Sequence, residues 1–391
     1  METLRQDLRQ SARRLARSPG FTAAAVLSLG LGLGGNTTLF SVVNALLLRP
    51  LPVARPAEIA AVYTSDFSGE RYGNSSYPDY LFLRDRVDAF SGLAAYGLQP
   101  LSLAVGSAPE MVVGETVSGS YFEVLGVGVA RGRALRPDDD APGAAPVVVL
   151  GHALWQGRFG GDEGVVGRAL TLSGRSFTVA GVAPPGFGGL TRGLQSQLWL
   201  PASARRLLRQ GDGLDNRGDR SLSIVGRLRP GVALSAAQAQ LDVAAGQLHQ
   251  DHPDLWTDAQ GRGRRLSLLP EHRFRLDPQV QGPLLGFLGL LAVIAGVVLL
   301  IAGVNVANLL LTRHAARRQE VAVRLSLGAS RRRVVRLFLT ETLLVGGLGG
   351  AVGLLLASWA TDLLTAFRPP LPVPVQLEVV MDARVLAFAG L

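Results

Sequence analysis

Cysteine and lysine are both missing from the 391 residues of this chain, and each absence excludes chemistry. Without cysteine there are no disulfides, no thiolate nucleophile, no iron–sulfur cluster and no Cys-ligated zinc. Without lysine there is no P-loop lysine to reach nucleotide phosphates and no Schiff-base amine, so these residues do not carry ATP hydrolysis through a P-loop. All 39 basic residues are arginine, and the 48 glycines fit the same GC-rich coding bias, so a glycine carries weight only where its position requires one. Charge is also scarce, at 18% of residues against 48% apolar. The mean hydropathy of +0.26 is high for a chain that must wet its whole surface.

The scarcity is uneven. No charged residue lies between Arg17 and Arg49, between Asp277 and Arg313, or between Glu341 and Asp362. Each gap can cross a hydrocarbon core, which takes about 20 helical residues. Residues 1–48 carry five arginines against two acids, residues 49–282 carry 24 against 23, and residues 313–336 carry eight against one. Arginine concentrated in short segments beside apolar spans is the positive-inside signature. It predicts a cytoplasmic N-terminus and a cytoplasmic 313–336 loop, with residues 49 to about 280 on the other side. A nucleic-acid-binding stripe would have placed its arginines in the balanced middle segment.

Within Met1–Ser18, Leu4, Leu8, Ala12 and Leu15 recur at helical spacing while Arg5, Arg9, Arg13 and Arg17 take another side, which predicts a helix on the inner leaflet. Ser18-Pro19-Gly20 breaks it before the first span. The apolar stretch that follows exceeds the roughly 7–15 residues of a cleaved signal peptide, so it is expected to stay as an anchor.

Several motifs invite stronger readings than their context supports. Gly30, Gly32 and Gly35 satisfy G-x-G-x-x-G, yet they lie in an apolar span with no preceding strand, so close helix packing is the better explanation. The four-residue spacings Gly30/Gly34, Gly346/Gly350 and Gly349/Gly353 support that packing. Asn36, Asn44, Asn305 and Asn308 either hydrogen-bond between helices or mark the edges of the hydrocarbon region. His249 and His252, flanked by Asp251 and Asp254, have His-x-x-His spacing without a nearby third histidine. A polar helix end is favoured over a ligand pair, since a closed metal site wants four ligands. Asp138-Asp139-Asp140 lacks EF-hand alternation and is expected to be a solvated turn. No catalytic residue, cofactor site or metal site is assigned.

The middle segment reads as mixed α and β. Ser76 caps a predicted helix whose face carries Tyr80, Leu83, Val87 and Phe90, so the aromatics of residues 76–80 are expected mainly in a core. Val147–Leu150 is a buried-strand candidate, Arg168–Val182 alternates about Ser173-Gly174 as a hairpin, and Ser221–Leu228 is a further strand. A helix is predicted from Ser235, with a capping box to Gln238 and an apolar face of Leu241, Ala244 and Leu248. The expected fold class is an integral membrane protein whose helical spans hold a large inserted α+β extracytoplasmic domain. Its expected parts are an amphipathic helix (1–18), a first span (19–48), the inserted domain (49–280), a second span (281–312), a cytoplasmic loop (313–336), a third span (337–365), a short outer loop (366–384) and the start of a fourth span (385–391).

The loop is amphipathic. Val321, Leu325 and Leu327 supply its apolar side, Gly328-Ala329-Ser330 stops it, and Arg331–Arg333 restart the chain toward the membrane. Composition leaves open whether it docks a partner or only snorkels to headgroups. The run Arg317-Arg318-Gln319-Glu320-Val321-Ala322-Val323-Arg324-Leu325-Ser326-Leu327-Gly328-Ala329-Ser330 resembles the R-R-x-E-I-A-V-R-x-A-L-G-A-S signature of MacB/FtsX-type ABC transporter permeases. Tyr77-Pro78-Asp79-Tyr80, the stretch Val117 to Gly126, and Val147 to Phe187 resemble that family's periplasmic core domain. The N-terminal Arg-rich helix with Ser18-Pro19-Gly20-Phe21-Thr22 is similar to a subgroup of orphan permeases whose chains carry two such units. Residues 382–391 resemble the first turns of a fourth span, so the end reads as a truncation.

The resemblance implies a non-catalytic permease subunit of the bacterial inner membrane, served by a separate cytoplasmic ATPase and working as a permease dimer in contact with lipid. By position Glu320, Val321, Arg324, Leu325, Gly328 and Ala329 would dock the ATPase, whose closure would move the helices and the periplasmic domain to export or extract an envelope substrate. Two alternatives stay open: a non-transport mechanotransmitter that regulates a periplasmic partner such as a cell-wall hydrolase, and a membrane-anchored envelope enzyme. Nucleic acid is not an expected partner.

Overall fold

A computed structural model of the chain describes residues 9, 11–13, 15–105, 108–191, 195–208, 214–276, 278–316, 326, 331–366 and 383–389. The chain divides into two compact units, one built from residues 1–46, 282–367 and 377–391 and the other from residues 47–281 and 368–376.

The first unit is helical. Its described helices are α1 (Pro19–Val43), which continues as a π-helical turn over Asn44–Leu48, and, after the second unit, three more that are numbered below in chain order. Ser18 precedes α1 with φ −131° and Pro19 takes the first helical position, where a missing N–H costs nothing. That is the expected break.

The second unit is α+β. In chain order it contains β1 (Ile59–Thr64), α2 (Tyr77–Arg86), β2 (Phe90–Val105), β3 (Ala108–Val117), α3 (Tyr121–Leu125), β4 (Arg131–Gly132), β5 (Val147–Leu150), α4 (His152–Phe159), β6 (Ala169–Leu172), β7 (Arg175–Val182), β8 (Leu198–Pro201), α5 (Arg205–Leu208), β9 (Ser223–Leu228), α6 (Leu234–Asp251), α7 (Pro253–Trp256), β10 (Leu266–Pro270) and α8 (Glu271–Phe274). The strands form one sheet in the order β10-β1-β9-β2-β3-β8-β5-β7-β4, with β6 pairing both β2 and β7. Because β6 bridges the far half of β2 to β7, strands β2, β3, β8, β5, β7 and β6 close into a ring filled by Leu103, Val148, Leu150, Phe177 and Leu198. Closure removes free edges there.

The open part of the sheet is covered on both faces. Ala60, Val62, Ala95 and Ile224 pack beneath α2 and α6 through Tyr80, Leu83, Leu241 and Leu248, while the alternate residues Ile59, Ala61, Ala94 and Val225 join Tyr121, Phe122 and Leu125 in a second core. The hairpin between β6 and β7 turns on Ser173 (φ 47°) and Gly174 (φ 79°), the doubly left-handed pair that a tight right-twisted hairpin needs.

After the second unit the chain returns to the first through α9 (Pro278–Ala316), then α10 (Arg331–Ala366) and α11 (Ala383–Ala389). Pro19–Leu48, Pro278–Arg313 and Phe338–Leu363 are each long and apolar enough to cross a membrane. Helices α1 and α10 touch through glycine. A Cβ on Gly30 would meet Val352 Cγ1 at 2.8 Å, one on Gly349 would meet Leu29 Cβ at 2.7 Å, and one on Gly34 would meet the Gly353 carbonyl at 3.0 Å. Gly346 and Gly350 share the spacing but have nothing within 4 Å, so that pair does not take part in the packing. Asn305 and Asn308 are exposed on α9, whereas Asn44 is buried.

Candidate functional site

The residues expected to dock an ATPase, Glu320, Val321, Arg324, Leu325, Gly328 and Ala329, lie outside the described residues. What is described is the frame that holds their segment. Arg313 sits in the last turn of α9, with one guanidinium nitrogen 3.1 Å from Glu341 Oε1 in α10. Another nitrogen donates to Ser18 Oγ at 2.6 Å, and the guanidinium carbon lies 4.4 Å from the ring centre of Phe21. Glu341 is fully buried. Beneath this group Leu15, Ala25, Val306 and Val345 form a small apolar cluster, and Thr22 Oγ1 donates to the Leu15 carbonyl at 2.9 Å. Leu15 and Ser11, from the stretch expected to rest on lipid, are thus buried in protein. Further along, Gly32, Asn36, Leu39, Val298 and Trp359 help line an apolar cavity of about 630 Å³ between α1, α9 and α10.

In the second unit the chain enters and leaves side by side. Glu271 Oε1 accepts from the Leu51 N–H at 2.8 Å. Arg275 Nε and Nη2 bond both Glu271 oxygens, while Nη1 donates to the carbonyls of Leu47 at 2.7 Å and Leu48 at 3.0 Å. One acid and one arginine, a helical turn apart, therefore tie residues 47–51 to residues 271–275.

Three further polar clusters hold the domain's interior. Asp79, fully buried in the Tyr-Pro-Asp-Tyr motif, pairs with Arg217 and with Arg220 at 3.1 Å, and Trp256 Nε1 donates to it at 3.3 Å. Burial pulls Arg220 down to about 10. Glu115 is buried with Tyr121 Oη at 3.0 Å and Trp199 Nε1 at 2.8 Å as donors, and burial pushes its carboxyl up.

The third cluster corrects the expected solvated turn. Pro137–Asp140 is a 3-10 turn in which Asp139 is buried and takes a two-pronged bond from Arg133 at 2.7 and 2.8 Å. Asp140 accepts the Gly119 N–H at 2.5 Å and the Ser203 N–H at 3.2 Å. Asp140 is drawn inward because backbone donors from distant loops converge on it, Asp139 is held by nearby Arg133 and the Arg136 N–H, and Asp138 is exposed as expected. The capping box at Ser235 is also corrected. Ala233 precedes α6 without a side-chain cap, and Gln238 reaches strand β10 instead, donating to the Leu266 carbonyl at 2.9 Å and accepting the Leu268 N–H at 2.9 Å. A strand edge that needs partners outcompetes the local cap. The Ser76 cap forms, accepting the Asp79 N–H at 3.2 Å, whereas Phe90 belongs to β2 rather than to that helix. His249 Nε2 lies 2.7 Å from the Arg264 carbonyl and its ring leans on Trp256, while His252 is the junction between α6 and α7.

Sequence reasoning missed the Arg313–Glu341 and Glu271–Arg275 pairs. A signal was present for the first: these are the two charges that close one apolar gap and open the next.

Three long apolar helices interrupted in the chain by a large, separately cored α+β domain make up the architecture of a membrane protein that carries an inserted folded domain. The chain matches the MacB-like periplasmic core domain over residues 22–244 and the FtsX-like permease C-terminal region over residues 292–389. It belongs to the MacB/FtsX family of ABC transporter permeases. Among its relatives are the probable syringafactin export ATP-binding/permease protein SyfD of Pseudomonas syringae pv. tomato, 29% identical over 64% of this chain and 34% of SyfD. The macrolide export ATP-binding/permease protein MacB of Escherichia coli K12 is 25% identical over 93% of this chain and 54% of MacB. The chain thus spans about a third to a half of the relatives it matches. Similar solved structures include the periplasmic region of MacB from Actinobacillus actinomycetemcomitans, with 17% identity, 58% of this chain and 94% of that one covered, and a TM-score of 0.41. The extracellular domain of the noncanonic ABC-type transporter YknZ from Gram-positive bacteria gives 12%, 54%, 99% and 0.39.

Proposed function

We propose that this chain is the permease subunit of an ABC-type exporter of the bacterial inner membrane. A separate cytoplasmic ATPase docks on the 313–336 segment, through Glu320, Val321, Arg324, Leu325, Gly328 and Ala329, and its closure moves the helices and, through them, the periplasmic domain. The subunit works as a dimer and performs no catalysis itself. The observation that carries this reading is the family match across both parts of the chain together with an arginine-rich connector between two apolar helices. The export names of the relatives favour transport over regulation of an envelope partner.

Two measurements test it. Because the chain has no cysteine, single cysteines at position 111, 61% exposed in the inserted domain, and at position 320 report sidedness without background, and they are expected on opposite faces of the membrane. Co-purification of the ATPase co-expressed with the chain is expected to fall at least tenfold with Glu320→Arg or Gly328→Trp. Labelling of both positions from one side, or undiminished binding by both variants, overturns the reading.

A further inference from the structure

Of the long helices, α9 offers the least of itself to its neighbours. Val293 is 64% exposed and Leu300 67%, and its buried apolar residues among those described are Leu288, Ala302 and Val306. Its mid-helix contact with α1 depends on Gly32, where an added Cβ would stand 3.3 Å from both Ala302 Cβ and Leu299 Cδ1. Helices α1 and α10, by contrast, interlock backbone to backbone through Gly30, Gly34, Gly349 and Gly353. The bundle is therefore one tight pair plus one loosely apposed helix.

The loose helix ends in Arg313, which reaches both members of the pair at once, through Glu341 in α10 and through Ser18 and Phe21 at the start of α1. The Arg313 side chain is 11% exposed and that of Glu341 is 0% exposed. Burying a carboxylate is costly, and Arg313 brings a cation to within 3.1 Å of it. The ring of Phe21 adds a face that favours a guanidinium. A directed polar contact of this kind weakens steeply with distance and angle, whereas apolar packing yields gradually.

We propose that Arg313 is a positioning residue that latches α9 to the α1–α10 pair at the end adjoining the 317–330 segment, so that displacement of this segment is passed to all three helices together. The pinning stands on the geometry alone; its use in ATP-driven motion rests on the proposed function.

The test uses the full chain in nanodiscs without any ATPase, with spin labels at Leu27→Cys and Leu311→Cys to read α1 against α9, and at Leu27→Cys and Leu343→Cys to read α1 against α10. All three positions are exposed and the background holds no cysteine. Arg313→Gln and Glu341→Gln are each expected to at least double the width of the α1–α9 distance distribution while leaving the α1–α10 width within about a fifth of its original value. Arg313→Lys, which keeps the charge, is expected to preserve the narrow α1–α9 distribution. An unchanged α1–α9 width in both neutral variants overturns the latch, as does equal broadening of both helix pairs, or an Arg313→Lys distribution as broad as that of Arg313→Gln. Failure of the ATPase to bind would remove the proposed function without altering these widths, so the two ideas fall separately.

Discussion

Asp140 shows how a single side chain sets the behaviour of its surroundings. It is enclosed between the 118–120 loop and the 202–204 turn, and although it accepts N–H bonds from Gly119 and Ser203, burial outweighs them and pushes its carboxyl from 3.8 up to about 6. The folded chain therefore holds a proton on this group in a range where the unfolded chain has lost it. The stability that this proton contributes is present below about pH 4 and is lost as the pH rises through about 6, a change on the order of 3 kcal/mol. Urea unfolding followed by tryptophan fluorescence is expected to show wild type losing stability relative to Asp140→Asn between pH 4.5 and 7. A difference between the two proteins that is constant over that interval would show that Asp140 titrates normally. Neighbouring Asp139 runs the other way, held below its usual range by Arg133 and the Arg136 N–H against the cost of burial, so the comparison with a variant is needed to isolate one acid.

At the scale of elements, the α1–α10 pair depends on which face each glycine occupies. Substituting Gly349 or Gly353 with Leu places a branched side chain where Leu29 Cβ or Leu33 Cβ and the Gly30 carbonyl already stand, at 2.7 to 3.2 Å. The expected outcome is a fall in the melting temperature of the detergent-purified chain by several degrees. Gly350→Leu, one position away with open space before it, is expected to melt within about a degree of wild type. The sequence spacing alone did not distinguish the working pair from Gly346/Gly350, since a face is chosen by the partner helix and not by the period. Elements whose cause is local were legible: the Ser76 cap needs only the Asp79 N–H three residues on, and the Ser173-Gly174 hairpin only two left-handed residues. Elements decided by distant partners were misread. Gln238 was taken by β10 rather than by its own helix, and Asp140 was drawn inward by N–H groups of Gly119 and Ser203, far from it along the chain. The candidate docking residues rest on resemblance alone and lie outside the described residues, because an arginine-rich amphipathic connector carries the same pattern whether it meets lipid or protein.

For the whole molecule, the proposed function requires a motion started at the 313–336 segment to reach the inserted domain along the chain, and two of the chain crossings between the units lie near residues 47–51 and 271–281. Glu271 and Arg275 join these crossings with a carboxylate, a guanidinium and three backbone groups, so the domain receives them as one attachment rather than two independent tethers. Opposed movement of the two crossings would have to break these bonds, several of them charge-assisted and mostly buried. Removing the guanidinium takes away its bonds to the Leu47 and Leu48 carbonyls and to Glu271, which loosens the attachment while leaving the cores around Trp199 and Trp256 untouched. Arg275→Gln is therefore expected to bind the ATPase as wild type does and to keep the unfolding midpoint of the domain within about 1 kcal/mol. The nucleotide-dependent change in distance between spin labels at Met111→Cys in the two subunits of a dimer, however, is expected to shrink by at least half. Met111 is 61% exposed on β3 and takes no part in the clamp, so a full-sized change in the Arg275→Gln dimer would show that the crossings transmit motion without being tied together.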